Sequence, residues 1–250
     1  MPRYKLTVEY FGTPYHGWQS QRDGRGVQDA VENAIEKFSG ERVKVQAAGR
    51  TDSGVHATGQ VIHLDLSKEW DPYRISEAMN HHLKPHPIVI TAYEAVPETF
   101  EARFSALARH YEFIILNRKA RPAIMRNRVW HVPHPLDAEK MHEAAQLILG
   151  QHDFTTFRAS ICQANSPIRT LDRLDVEQRG DMIHIFASAR SFLHNQVRSM
   201  VGSLVEVGRH RWTPAEFRAA LDAADRSACG PVSPPDGLYL IGVDYPPLDA

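Results

Sequence analysis

Gly49-Arg50-Thr51-Asp52-Ser53-Gly54-Val55-His56-Ala57 follows the apolar run Val43 to Ala48 and precedes Gln60-Val61-Ile62-His63-Leu64. The two flanking runs have the composition of strands, so the stretch between them reads as a short polar loop. Gly49 and Gly54 permit backbone angles closed to other residues. Between them a guanidinium and a carboxylate stand two positions apart. Asp52 on such a loop can be held at a cleft wall with its charge tuned by Arg50. The alternative is a hairpin loop with a solvated Arg–Asp pair, since Asp and Gly are ordinary turn residues.

Working outward, the same order of elements occurs twice. Tyr4 to Tyr10 alternates as a strand, and Val27 to Phe38 carries Val27, Ala30, Val31, Ala34, Ile35 and Phe38 at helical spacing. Arg42 to Ala48 and Gln60 to Leu66 read as strands, Pro72 to Leu83 as a helix with Pro at its start, and Ile88 to Tyr93 as a strand. The second pass has a strand from His110 to Leu116. A helix over Ala138 to Leu149 follows, capped by Asp137 and stopped by Gly150. Strands at Ile168 to Glu177 and Met182 to Ala187 are joined by the Arg179-Gly180-Asp181 turn. A long helix from Phe192 to Val207, a further helix from Pro214 to Ala223 and a strand from Leu238 to Val243 complete it.

Each pass is a βαββαβ, or ferredoxin-like, unit. The expected fold is therefore α+β, with two such halves, 1–105 and 106–250. Their antiparallel sheets are expected to join side by side with helices on the outer face and an active-site cleft between the halves.

Composition narrows the class. The chain has 250 residues, 42% hydrophobic and 24% charged, as in ordinary soluble domains. The N-terminus lacks the apolar core of a signal peptide, and no apolar run is long enough to span a bilayer. Cys162 and Cys229 form neither a disulfide framework nor a CxxC zinc site. A cytoplasmic location with no membrane, metal or small-molecule cofactor is the expectation. The net charge of −1 argues weakly against nucleic acid, but clustering matters more than the total. Arg118, Lys119, Arg121, Arg126 and Arg128 lie in a stretch without acids, and Arg103 stands near Arg109-His110. These six, Arg103 included, are candidate RNA contacts; ordinary solvated loops are the alternative.

Three further blocks carry candidate chemistry. Tyr10 to Gln21 mixes aromatics, glycines and amides, which suits either a loop that stacks on planar groups or a hydrophobic plug. Tyr111 follows the basic Arg109-His110 and is either a base-stacking ring or a core aromatic. Arg198 sits among core-type residues of the long helix. It either snorkels to solvent or is paired in a cleft.

Together these blocks resemble the tRNA pseudouridine synthase I family, also called tRNA pseudouridine synthase A. The resemblance rests on Tyr-x-Gly-Thr-x-Tyr-x-Gly-Trp-Gln-x-Gln from Tyr10, Gly49 to Ala57, Gln60-Val61, Arg103-Phe104-Ser105-Ala106 and Arg109-x-Tyr111. It continues through Phe192-Leu193-His194-Asn195-x-Val197-Arg198-x-Met200-Val201-Gly202 and Pro235-x-Gly237-Leu238-Tyr239-Leu240. The blocks stand in the family order and span nearly the whole chain. Phe11, Gln196 and Ser199 depart from the family pattern.

The resemblance implies an isomerase that converts uridine to pseudouridine at positions 38, 39 and 40 of the tRNA anticodon stem and loop. It implies Asp52 as nucleophile or base and Arg198 as its salt-bridge partner. Tyr111 would stack on the target uracil, and Arg50 would contact RNA and help hold the flipped base. The expected partners are tRNA and a second copy of the chain in a homodimer. Two other classes compete. An RNA-binding module would want exposed aromatics in a Gly-Phe-rich signature, which is absent. An Asp-dependent hydrolase would want a second carboxylate or a metal site, and neither is evident.

Overall fold

The computed structural model describes residues 1–247, so the last three residues of the expected 106–250 half lie outside it. In chain order the elements are β1 (Arg3–Tyr10), α1 (Val27–Ser39), β2 (Gln46–Ala47), β3 (His56–Asp65), α2 (Pro72–His82), β4 (Ile88–Val96), β5 (Ala108–Leu116), β6 (Trp130–His131), α3 (Ala138–Gln146), β7 (Gly150–Asp153), β8 (Ile168–Arg179), β9 (Met182–Ala189), α4 (Gln196–Gly208), α5 (Pro214–Asp222) and β10 (Leu238–Asp244). The fold is mixed α+β, and its strands pair mostly antiparallel. Two compact units are present: Met1–Arg109 with Tyr239 onward, and His110–Leu238.

In the first unit, alternation along β1 buries Tyr4, Leu6, Val8 and Tyr10. β1 lies between β3 and β4, antiparallel to both, with Leu6 opposite Ile62 and Tyr93. β3 is buried along almost its whole length, as expected of a strand covered on both faces. β10 runs parallel to its start, with Tyr239 opposite His56. Gly59 permits this approach, because a Cβ there would collide with the Ile241 carbonyl. α1 turns Val27, Val31, Ala34 and Ile35 inward.

The strand expected from Arg42 to Ala48 is reduced to the two residues of β2. The N–H of Val45 donates instead to Glu32 Oε1 of α1 at 3.0 Å, which takes that segment out of the ladder.

In the second unit the strands run in the order β5-β9-β8-β7, with β6 parallel to β5. α3 packs on β8, α4 and α5. The helix expected to reach Leu149 ends at Gln146. Leu147 and Ile148 instead donate to carbonyls three residues back, a tightened last turn. Gly150, at φ +93°, opens β7.

The long helix starts at Gln196 and not at Phe192. Asn195 takes the left-handed conformation at φ 62°, and Gln196 Oε1 accepts from the N–H of Leu193. Those features keep residues 192–195 out of the helix, with a turn at His194-Asn195, since left-handed residues do not continue a helix.

α4 is buried on every side except at Arg198. Small residues make this possible. The Gly202 Cα lies so close to the Pro231 carbonyl that a Cβ would overlap it. Ser203 Oγ accepts from the N–H of Gly230 at 3.0 Å. Gly202→Ala should therefore force α4 off the segment around Pro231 and cost about 1–3 kcal/mol. A urea titration should show a lower midpoint at unchanged slope; an unchanged midpoint would contradict the contact.

Candidate active site

The chain after β1 doubles back against the Gly49–Ala57 loop and holds it by main-chain atoms. The N–H of Trp18 donates to the Thr51 carbonyl at 3.0 Å. The carbonyl of Tyr15 accepts from the N–H of Gly54 at 3.4 Å and from Ser53 Oγ at 3.2 Å. The N–H of Gly12 donates to His56 Nδ1 at 2.9 Å, so that nitrogen is an unprotonated acceptor. Tyr10 Oη lies 2.8 Å from Thr51 Oγ1. Burial pushes the Tyr10 phenol well above its ordinary pKa, which keeps it a neutral hydrogen-bonding group. Gly12 and Gly17 are required by this docking. A Cβ at either would press on the carbonyl of Val55 or Thr51, and Gly17 stands at φ +89°.

Within the loop, the N–H of Val55 donates to the Asp52 carbonyl at 3.1 Å, and Gly54 adopts φ +80°. Gln60 Nε2 donates to the Gly49 carbonyl at 2.8 Å. Thr51, Val55 and His56 are buried, Asp52 is half-buried, and Arg50 and Ser53 are exposed. The loop thus has anchored flanks and a carboxylate at its accessible turn. Phe11 stacks on the His56 imidazole at 5.0 Å with planes 10° apart, and Tyr239 lies 4.7 Å from the same ring. Tyr10, Tyr15 and Trp18 are buried. Of the two readings of the Tyr10–Gln21 block, the plug describes these three rings.

Arg103 is exposed on the turn before β5. The buried Arg109 fastens that turn. Its guanidinium donates to the carbonyls of Arg103 (2.6 Å) and Ala106 (3.4 Å), and to Ala48 from Nη2 (2.8 Å) and Nε (3.2 Å). Ala48 directly precedes the Asp loop. The sequence carries no mark of this role for Arg109, because carbonyl acceptors leave no side-chain signature.

In the second unit, Tyr111 is buried on β5, with Phe192 edge-on to its ring at 5.2 Å and 88°. Arg198 is half-buried and does not snorkel. Nε donates to the Ser233 carbonyl at 2.9 Å and Nη1 to Asn195 Oδ1 at 3.0 Å, while the N–H of Ser233 donates to the Arg198 carbonyl. These bonds fix the plane of the guanidinium.

Arg118, Lys119, Arg121, Arg126 and Arg128 share one loop between β5 and β6, and all are exposed. Arg118 makes a 3.4 Å ion pair with Asp181. Asn117 staples the base of the loop through the carbonyls of Val132 and His134 and the N–H of Leu136. Among the described residues, no group of three His, Cys, Asp or Glu side chains is placed to hold a metal ion.

Comparison with known proteins agrees with the motif blocks. The family model for tRNA pseudouridine synthase matches residues 6–105 and 144–246. A tRNA pseudouridine synthase A from Mesorhizobium japonicum is 60% identical over 249 residues, covering 98% of this chain and 100% of its own. One from Xanthobacter autotrophicus is 58% identical over 245 residues, covering 98% and 100%. One from Brucella ovis is 60% identical over 247 residues, covering 98% of each. Among solved structures, the crystal structure of a Cbf5-Nop10-Gar1 complex overlaps 81% of this chain and 45% of that chain. The match has 12% identity and a TM-score of 0.36, too low to bear on fold or activity. The chain belongs to the tRNA pseudouridine synthase family, isomerases that act on uridines of tRNA.

The Tyr10–Thr51 contact yields a direct test. Tyr10→Phe leaves Thr51 Oγ1 buried without that partner and should cost about 1–2 kcal/mol in thermal unfolding. If the contact positions the Asp loop, kcat should fall while KM for tRNA stays put. Thr51→Val should do the same, and the double variant should lose no more than either single one. A pure KM effect would contradict the positioning role.

Proposed function

We propose that the chain isomerises uridines 38, 39 and 40 of the tRNA anticodon stem and loop, with Asp52 as the reacting carboxylate. The observation that carries this reading is the loop itself. Asp52 is its single carboxylate, half-buried on a turn whose flanks are bonded by main-chain atoms. The loop also lies in the part of the chain matched by the family model.

The reaction breaks the bond from ribose C1′ to uracil N1 and forms one from C1′ to C5. The C5 proton is lost and N1 takes one up, so no electrons are transferred and no group leaves. Such chemistry asks for an ionised carboxylate, a grip on the freed base and exclusion of water. Asp52 attacks C1′ or C6, or removes the ribose 2′ proton; all three routes use the same carboxylate. Arg198 is the second catalytic residue. Tyr111 stacks on the uracil and is a candidate proton acceptor in the last step. A paired uridine must leave its stack at a cost of about a few kcal/mol. Arg50 helps hold the flipped state, and Arg103, Arg118, Lys119, Arg121, Arg126 and Arg128 bind phosphates.

A ferredoxin-like reading of the halves is supported in the first unit by its βαββαβ element order and by the pairing of β1 with both β3 and β4. We further propose a cytoplasmic homodimer.

Release of tritium from 5-labelled uridine in intact tRNA is the decisive assay, because neither an RNA-binding module nor a hydrolase loses that hydrogen while sparing the RNA chain. Asp52→Asn should fold, bind tRNA like the wild type and release none; near-normal turnover would sink the assignment. A salt series tests the basic loop. Each phosphate neutralised steepens log K against log salt by about 0.9 in a B-form duplex and less in single strands. Arg121→Ala or Arg126→Ala should lower that slope by about one or less, equally for all cognate tRNAs. A flat wild-type response would remove the loop from the interface.

A further inference from the structure

The turn from Glu101 to Ala106 carries an aromatic ring for which the proposed chemistry has no use. Phe104 is 71% exposed, yet the turn beneath it is bonded on every side. The N–H of Ser105 donates to the Glu101 carbonyl at 2.9 Å, and Ser105 Oγ accepts from the N–H of Glu101 at 3.0 Å. Ala102 donates its N–H to His63 Nδ1 at 3.0 Å and accepts from Tyr245 Oη at 2.7 Å. Arg109 holds the carbonyls of Arg103 and Ala106 from below. A rigid support thus presents a ring to water.

Cations outnumber carboxylates around that ring. The Arg103 guanidinium carbon lies 5.2 Å from the Phe104 ring centroid, a cation–π stack. Phe104 also borders an open cavity of about 300 Å³ lined by Arg3, Lys44, His63, Asp65, Glu101 and Arg103. Arg3 is committed to Asp65 by two bonds of 2.7 and 2.8 Å. Burial, aided by the Arg3 cation, lowers the His63 pKa and keeps the ring neutral. Lys44 and Arg103 therefore face a single further carboxylate, Glu101. An aromatic plate stacked on a guanidinium, beside a mouth with surplus positive charge, matches a nucleotide: a base for the plate and a phosphate for the lysine.

We propose that the Arg103-Phe104 turn is a base-stacking site for an unpaired nucleotide of the tRNA other than the target uridine, with the adjoining phosphate at Lys44. The proposal rests on the tRNA reading above and names a contact that reading does not contain.

The test uses the full chain with cognate tRNA transcript and compares wild type with Phe104→Ala, Phe104→Trp and Lys44→Ala. Phe104→Ala should weaken tRNA binding on the order of tenfold, with the loss in KM and not in kcat. Its thermal midpoint should match that of the wild type. Phe104→Trp should restore affinity, and Lys44→Ala should lower the salt slope by about one or less. Wild-type affinity in Phe104→Ala, in a preparation whose parent makes pseudouridine, overturns the site alone. Sedimentation showing that Phe104→Ala breaks an oligomer would assign the turn to a second copy of the chain and also overturn it. A parent that binds no tRNA overturns both readings. A parent that binds tRNA with the expected Phe104 dependence but releases no tritium keeps the site and removes the isomerase assignment.

Discussion

Two loops of the first unit meet main chain to main chain, and the position of Asp52 depends on that meeting. Gly12 and Gly17 bring the chain after β1 within contact of the Val55 and Thr51 carbonyls, where no side chain fits. The bonds that result, from Trp18, Tyr15 and Gly12, end on Thr51, Ser53, Gly54 and His56. The carboxylate between these anchors is placed by backbone geometry set when the unit folds. For the reaction proposed above, a carboxylate on so anchored a loop is the condition under which a positioned group contributes most. The buried Tyr10 and Trp18 rings, 5.9 Å apart, fill the space behind the docking. The aromatic-and-glycine composition of the Tyr10–Gln21 block thus serves the carboxylate indirectly, as its support.

A second registration of helix against chain governs Arg198. Three consecutive contacts line one face of α4. Arg198 meets Ser233, Gly202 meets Pro231, and Ser203 meets Gly230. The helix index rises as the partner index falls, so the 230–233 segment runs antiparallel along that face. Residues four apart lie on one side of a helix, and here the small residues let the segment come close enough for Arg198 to reach a main-chain carbonyl. Nearly all of α4 is buried, and its one half-exposed side chain is a cation. Such an arrangement costs solvation, offset by charge-assisted bonds to Ser233 and Asn195. Asn195 has two functions: its left-handed backbone starts the helix late, and its side-chain oxygen orients the guanidinium.

Periodic segments were legible in the sequence because their signal is local. β1 alternates, α1 shows one apolar stripe, and the Asp137 cap stands where expected. The misread strands have nonlocal causes. β2 is short because a carboxylate thirteen residues earlier, Glu32, takes a strand donor. β6 and β7 owe their existence to partners far along the chain, Ile115 and Leu171 among them, and carry little pattern of their own. The Arg50–Asp52 loop was legible as a polar turn, since glycines and one carboxylate mark it. The Arg109 clamp was not, because its acceptors are peptide carbonyls common to every residue. Phe104 was visible as part of a motif, but its exposure on a bonded turn is a property of the fold alone.

The overall charge of −1 conceals how the charges are spent. Over much of the surface they cancel in place: Arg3 with Asp65, Lys5 with Glu94, Arg173 with Asp175, Arg218 with Asp222. Pairs like these are screened and contribute little to stability, but they leave little field at a distance. The loop between β5 and β6 is built differently. Five cations follow one another there with no acid inside the stretch, Arg118 pairing outside it with Asp181, and Asn117 fixes its base. A polyanion senses the local potential within about a Debye length, roughly 8–10 Å at ordinary salt. A near-neutral chain can therefore present one strongly positive loop.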